Sequence, residues 1–303
     1  MEIAIMIEGQ NGLTWPRWQG IAAAVEDLGF AGLYRSDHFT NANPPDMESL
    51  EMWVSLTWLA SHTKRIEFGP LVSPVSFRHP VLTARMAAAV DDLSGGRLIL
   101  GLGAGWQERE HNLFGFDLLP LKERFDRFEE GLEVISRLLR EAQPVTFEGK
   151  YYQLRGASLL PPPLHPGGPR LLVGGKGEKR TLGLVARFAN EWNTAFSGAE
   201  EFSRLSAHLD ELLIARGREP RAVKRSLMTG LYFGRTPQEI TAKLAARKTS
   251  IPDLRTRGIL VGVGEEIREQ VAALEHAGVQ RVMLQWNDFD DLDGLTAFAR
   301  AVL

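Results

Sequence analysis

Eight short apolar segments alternating with amphipathic helices predict an α/β fold, a single TIM (β/α)8 barrel with insertions. Three observations carry that prediction. Residues 2–7 and 66–72 are almost continuously apolar, as strands buried on both faces are. Residues 65–109 read as strand, helix, strand and glycine-rich loop, a βαβ unit with parallel strands and a right-handed crossover. The length, 303 residues, exceeds one doubly wound domain. It suits a barrel of about 250 residues plus insertions.

The elements follow in order. Residues 2–7 are the first strand, and Glu8-Gly9-Gln10-Asn11-Gly12 is its loop. Thr14 is placed to cap the next helix, with Pro16 in its first turn. Trp18, Ile21, Ala22, Val25 and Leu28 form one helical face, and Gly29 stops it. Residues 31–34 are the second strand, ending in Arg35-Ser36-Asp37-His38-Phe39. A helix over 50–60 precedes the strand at 66–72. A helix over 80–93 is closed by Ser94-Gly95-Gly96, and the strand at 97–102 runs into Gly103-Ala104-Gly105-Trp106. Residues 121–140 carry a stripe of Phe125, Phe128, Leu132, Ile135 and Leu139.

Residues 143–169 break the alternation with a hairpin turning at Gly149 and a proline-rich connection. α/β units resume beyond them, so they read as an insertion in one domain spanning 1–303. Strands are expected at 170–173, 191–194, 226–233 and 279–285. Helices are expected at 178–187, 202–216, 238–247, 265–277 and 292–303. Residues 248–258, rich in charge and proline, read as a mobile loop.

Composition narrows the function. A net charge of -3 gives no reason to expect a nucleic-acid partner. The chain has no cysteine, which removes disulfides, thiolate metal sites and a cysteine nucleophile. No apolar run approaches the roughly 20 residues of a membrane span. With a strand opening at Glu2, no leader peptide is expected, and the reading is a cytoplasmic protein.

Three motifs lie where a barrel builds its site, past the carboxyl ends of strands. Asp37-His38 is either a local capping pair or a proton-handling pair, since a carboxylate can hold an imidazole's tautomer. Gly174-Gly175-Lys176-Gly177 is either a tight turn or a phosphate cradle of backbone N–H groups at a helix start. Gly101, Gly103 and Gly105 either let a flat ring approach the backbone or serve strand packing. Glu108, Arg109, Glu110 and His111 read mostly as solvated helix charges. The seven histidines show no metal-type pairing, so no metal is expected.

Five stretches together resemble the luciferase-like monooxygenase superfamily, the flavin- and deazaflavin-dependent TIM-barrel oxidoreductases related to bacterial luciferase. They are SDHF (36–39), FGPLVSPVSFRHP (68–80), SGGRLILGLGAGW (94–106), LKERFDRFEEGLEVI (121–135) and LLVGGKGEKRTLGLVARFANEWN (171–193). The likeness is greatest to the branch using the deazaflavin coenzyme F420, with FMN as the alternative cofactor. It implies that His38 faces the redox-active ring, with Asp37 beside it as the other candidate catalytic residue. It places Leu71-Val72 at a non-proline cis peptide behind the ring and Ala104 near the ring's polar edge. Gly174, Gly175, Lys176 and Gly177 match the phosphate turn, and Thr194 falls near the ribityl chain.

The family's sugar-phosphate dehydrogenases carry an acidic residue where this chain has Trp106. Trp106, Phe77 and Trp15 therefore suggest an apolar substrate pocket, each with core packing as the alternative. The resemblance implies hydride transfer between the deazaflavin and an organic substrate. Its alternatives are an FMN monooxygenase served by a separate reductase, or a non-catalytic flavin-binding protein. It also implies a homodimer through the second and third helices, with Ala84, Ala87, Ala88 and the region 53–58 as candidate contacts.

Overall fold

The computed structural model describes residues 1–303. The first half runs β1 (Glu2–Ile7), α1 (Trp15–Leu28), β2 (Gly32–Arg35), α2 (Met52–His62), β3 (Glu67–Pro70), β4 (Ser73–Pro74), α3 (Pro80–Ser94), β5 (Ile99–Gly103), α4 (Glu108–Phe114) and α5 (Leu121–Arg140). A hairpin follows, β6 (Val145–Glu148) and β7 (Gln153–Ala157), then β8 (Arg170–Gly174), α6 (Thr181–Phe188), β9 (Glu191–Ala195) and α7 (Ala199–Ile214). The chain ends with β10 (Lys224–Phe233), α8 (Pro237–Ala246), α9 (Ile251–Thr256), β11 (Leu260–Gly262), α10 (Gly264–His276), β12 (Arg281–Gln285) and α11 (Leu292–Val302).

The parallel sheet runs β3-β2-β1-β12-β10-β9-β8-β5-β4. Its register places Ala4 opposite both Gly32 and Met283. The ring is nearly closed by a single bridge between Phe68 and Leu98. Gly69 permits that approach, since a Cβ there would sit 1.9 Å from the Ile99 carbonyl oxygen. The eight barrel strands are those expected, with the third interrupted at Leu71-Val72, a cis peptide.

Strand alternation sorts the side chains into two cores. Ile3, Ile5 and Ile7 face the helices in the large outer core. Ala4, Met6, Tyr34, Leu71, Ile99, Leu172 and Met283 fill the barrel interior. Arg281 is buried in an ionic layer built from strand starts. Its Nε donates to Glu2 at 2.6 Å, its Nη1 to Glu191 at 3.0 Å and to the Tyr34 hydroxyl at 2.7 Å, and its Nη2 to Glu67. Burial works against its charge. Tyr34, Glu191, Glu67 and Glu2 outweigh that and raise its pKa.

Several expectations need correcting. Residues 251–256 are helical, not a mobile loop: the Ser250 hydroxyl accepts from the Asp253 N–H, and Pro252 sits in the first turn. β11, which was not expected, pairs with the end of β10, Leu260 opposite Leu231. Thr14 precedes α1 but makes no side-chain cap bond. Ala84, Ala87, Ala88 and Trp53 are buried within the chain's own core and cannot offer a surface to a second copy. Within the region 53–58 Val54 is exposed, and on α3 the exposed apolar residues are Leu82 and Leu93. No helix is long and apolar enough to cross a membrane.

Candidate active site

Loops at the carboxyl ends of the strands enclose a cavity of about 590 Å³, a size typical of small-molecule sites. Residues after β2 enter it in alternation. Ser36 and His38 line the cavity, whereas Asp37 points away. Asp37 accepts from Arg78 Nη1 at 2.5 Å and from Ser73 Oγ at 2.8 Å. It is thus a brace between the loops after β2 and β4, and it does not touch the His38 ring.

The carboxylate that does hold His38 is Glu110. Its Oε1 lies 2.8 Å from His38 Nδ1, and its Oε2 accepts from the Phe39 N–H at 3.0 Å. Glu110 is 1% exposed, so it is not one of the solvated charges expected on this stretch. His111 is also buried, with Nε2 2.8 Å from Ser76 Oγ. Burial alone would lower the His38 pKa. The hydrogen bond and charge of Glu110, with Glu8 and Asp37 beyond, outweigh it and raise the pKa above its ordinary value. Nδ1 is committed to Glu110, and Nε2 has no protein partner, so Nε2 is the nitrogen left to exchange a proton at the cavity.

One wall is apolar. Leu71 and Val72 form its floor, with Phe125, Phe128 and Met228 around them. Cβ atoms at Gly103 and Gly174 would stand 2.6 and 3.0 Å from Val72, and one at Gly101 would stand 2.1 Å from the Pro70 carbonyl. Gly101 and Gly103 therefore make room for the Leu71-Val72 bulge, which is the packing reading of that motif. Ala104 lines the cavity. Trp106 sits over His38 edge to face, ring centroids 5.6 Å apart, and is 62% exposed at the rim. Arg124 holds this loop in place, donating from Nη1 to the Gly105 carbonyl at 3.1 Å.

Another part of the lining is polar. Gly174, Gly175, Lys176, Gly177 and Thr181 line it. Gly175 donates to the Asn193 carbonyl, but the N–H groups of Lys176, Gly177 and Glu178 donate to no protein acceptor. Lys176 Nζ pairs with Glu201 at 3.1 Å, and both are partly exposed, so an anion can compete for the ammonium. An apolar slot beside free N–H donors and an ammonium fits a flat ring carrying a phosphate.

Besides Asp37, three residues named from the sequence do not line the cavity. Thr194 faces outward: its Oγ1 lies 3.0 Å from Ser197 Oγ, and its neighbours Asn193 and Ala195 line the cavity instead. Phe77 is buried among Phe39, Phe116 and His111, at 5.0, 4.9 and 4.9 Å between ring centroids, behind the site. Trp15 packs against Trp58 at 6.2 Å on the barrel exterior. Lining residues missed from the sequence include Glu8, Ser36, Glu110, Arg124, Phe125 and Phe128. Phe125 and Phe128 were visible only as a helix stripe, and Glu110 only as one charge among several.

Comparison with known proteins is consistent with this geometry. The chain is 30% identical over 220 residues to an F420-dependent glucose-6-phosphate dehydrogenase of Kineococcus radiotolerans, covering 72% of this chain and 64% of that protein. It is 31% identical over 194 residues to a 5,10-methylenetetrahydromethanopterin reductase of Archaeoglobus fulgidus, covering 64% of this chain and 53% of the relative. The chain thus spans less than two thirds of the length of these relatives. Its fold matches an F420-dependent secondary alcohol dehydrogenase solved with an F420-acetone adduct, TM-score 0.86 at 18% identity over 100% and 98% of the two chains. It also matches the monooxygenase RslO1 from Streptomyces bottropensis, TM-score 0.81 at 19% identity over 99% and 98%. The family description "Luciferase-like monooxygenase" matches residues 1–257, and the chain belongs to that family.

Proposed function

We propose that this protein is an F420-dependent oxidoreductase that moves a hydride between the deazaflavin and an organic substrate with an apolar face. The observation that carries the reading is His38, held by buried Glu110 at the edge of a cavity with one apolar and one anion-ready wall. The naming of F420 in relatives of 30% identity supports the deazaflavin over FMN. When bound, the cofactor supplies two electrons and one proton as hydride.

The chain's residues do the rest. Leu71, Val72, Phe125 and Phe128 form the slot for the ring. Ala104 borders it, and the turn Gly174, Gly175, Lys176 and Gly177 holds the phosphate through the free N–H groups of Lys176 and Gly177 and through the Lys176 ammonium. His38 Nε2 gives or takes the proton that balances the hydride at the substrate. Trp106 closes the rim above His38 and presents an apolar face where the family's sugar-phosphate dehydrogenases carry an acidic residue. A homodimer on this reading would use Val54 and Leu82 of α2 and α3.

His38→Ala is expected to lower kcat by about 100-fold or more with the right substrate, while deazaflavin binding persists. Unchanged turnover would remove His38 from the reaction. Activity should continue under strict anaerobiosis; dependence on oxygen would point to flavin monooxygenation.

A further inference from the structure

A second cavity, of about 370 Å³, lies at the opposite end of the barrel, where strands begin. Arg140 ends α5, Arg170 opens β8, Arg187 is on α6, and Arg218 follows α7; with Asn190 and Gly167 these line it. No acidic side chain does.

The four arginines are not equivalent. Arg170 is paired with Glu67, and Arg187 with Glu129 and Glu133. Arg140 and Arg218 have no carboxylate partner. Both are instead anchored on the carbonyl end of α6. Arg140 Nη2 donates to the Phe188 carbonyl at 3.2 Å. Arg218 donates to the Ala186 carbonyl at 2.9 Å and the Ala189 carbonyl at 2.8 Å. The negative end of a helix explains why the two cations are tolerated there. It does not use up their donors: Arg140 Nε and Nη1 make no hydrogen bond within the protein. Burial lowers the pKa of both, and for Arg218 the nearby charges of Arg140 and Arg225 lower it further. Like charges held together by carbonyls, with donors left over, form a preorganised oxyanion receptor, because a guanidinium fork matches phosphate geometry.

We propose that this cavity binds a phosphate-bearing anion, with Arg140 and Arg218 as its principal donors and Arg187 and Arg170 at its border. The cavity is larger than a single phosphate needs, which favours a diphosphate over orthophosphate. The site is separate from the turn at Gly174–Gly177, which faces the carboxyl ends of the strands.

Calorimetric titration of the full chain with pyrophosphate and with orthophosphate, against chloride at equal ionic strength, tests this. Arg140→Glu is expected to weaken pyrophosphate binding by at least tenfold, with the circular dichroism spectrum unchanged. Arg140→Gln should weaken it by a smaller factor. Lys176→Gln, which alters only the turn at the other end of the barrel, should leave a pyrophosphate site intact. Wild-type affinity in both Arg140 variants would overturn the proposal. So would loss of all pyrophosphate binding in Lys176→Gln, or no binding beyond that seen with chloride. Orthophosphate binding as tightly as pyrophosphate would overturn the diphosphate assignment.

Discussion

Replacing Glu110 by Gln removes one charge and almost no volume at the base of His38. The carboxylate lies 2.8 Å from Nδ1, and it is buried. Taking about 4 Å between charge centres and an effective dielectric near 20, the lost attraction is about 4 kcal/mol. Solvent at the cavity mouth reduces that figure. The His38 pKa, raised by Glu110 in the wild type, is therefore expected to fall in the variant. Gln also changes the hydrogen bonding. Glu110 Oε2 accepts from the Phe39 N–H, so the amide oxygen is drawn there and the amide N–H₂ turns to Nδ1. Nδ1 must then accept, and Nε2 carries the proton at neutral pH. Nitrogen-15 NMR of histidine-labelled protein reads both the pKa and the tautomer. The raised wild-type pKa also has a stability signature. The His38–Glu110 pair stabilises the fold fully below the unfolded imidazole value of about 6.5, and that contribution is lost as pH rises through the folded value. Glu110→Gln should flatten this slope. An imidazole that titrates at the same pH and keeps its tautomer in the variant would refute the assignment of Glu110 as the group that sets His38.

Three further substitutions separate site from scaffold. Phe77→Ala should cost about 3–5 kcal/mol of stability in chemical denaturation while leaving KM unchanged, because Phe77 lies in the aromatic cluster behind the cavity; a raised KM at unchanged stability would return it to the pocket. Trp106→Ala should leave stability almost untouched, since the ring is 62% exposed, and lower kcat/KM by about tenfold or more through lost substrate contact. Arg281→Ala should destabilise by about 3–5 kcal/mol, because it leaves the buried Glu191 without its guanidinium partner, while Glu67 keeps Arg170; a stable variant would mean that Glu191 is neutralised in another way.

The barrel was legible because strand burial and helix periodicity are local patterns repeated eight times. Residues 66–72 and 97–102 needed no tertiary information to be read as buried strands. What escaped was local order carried by polar residues. The cap formed by Ser250 and Asp253 is a sequence signal, but the surrounding charge and proline masked it. The site divided along the same line. Positions tied to the backbone, the Leu71-Val72 bulge and the turn at Gly174–Gly177, line the cavity. Positions that depend on which way a side chain points did not follow. Thr194 and Asp37 sit one residue from cavity-lining neighbours, and a one-residue shift in an extended segment reverses the face. Glu110 could not be chosen over Asp37 from the sequence, because adjacency in the chain places Asp37 next to His38 whereas only the packing of α4 brings Glu110 to its ring. Phe77 shows the same limit for aromatics, whose burial says nothing of what they are buried against.

The most direct test of the account is a fluorescence titration of the purified protein with oxidised F420 and, separately, with FMN. The account predicts that F420 binds at micromolar Kd or tighter, and that FMN binds much more weakly. Tight binding of FMN with no binding of F420 would contradict it.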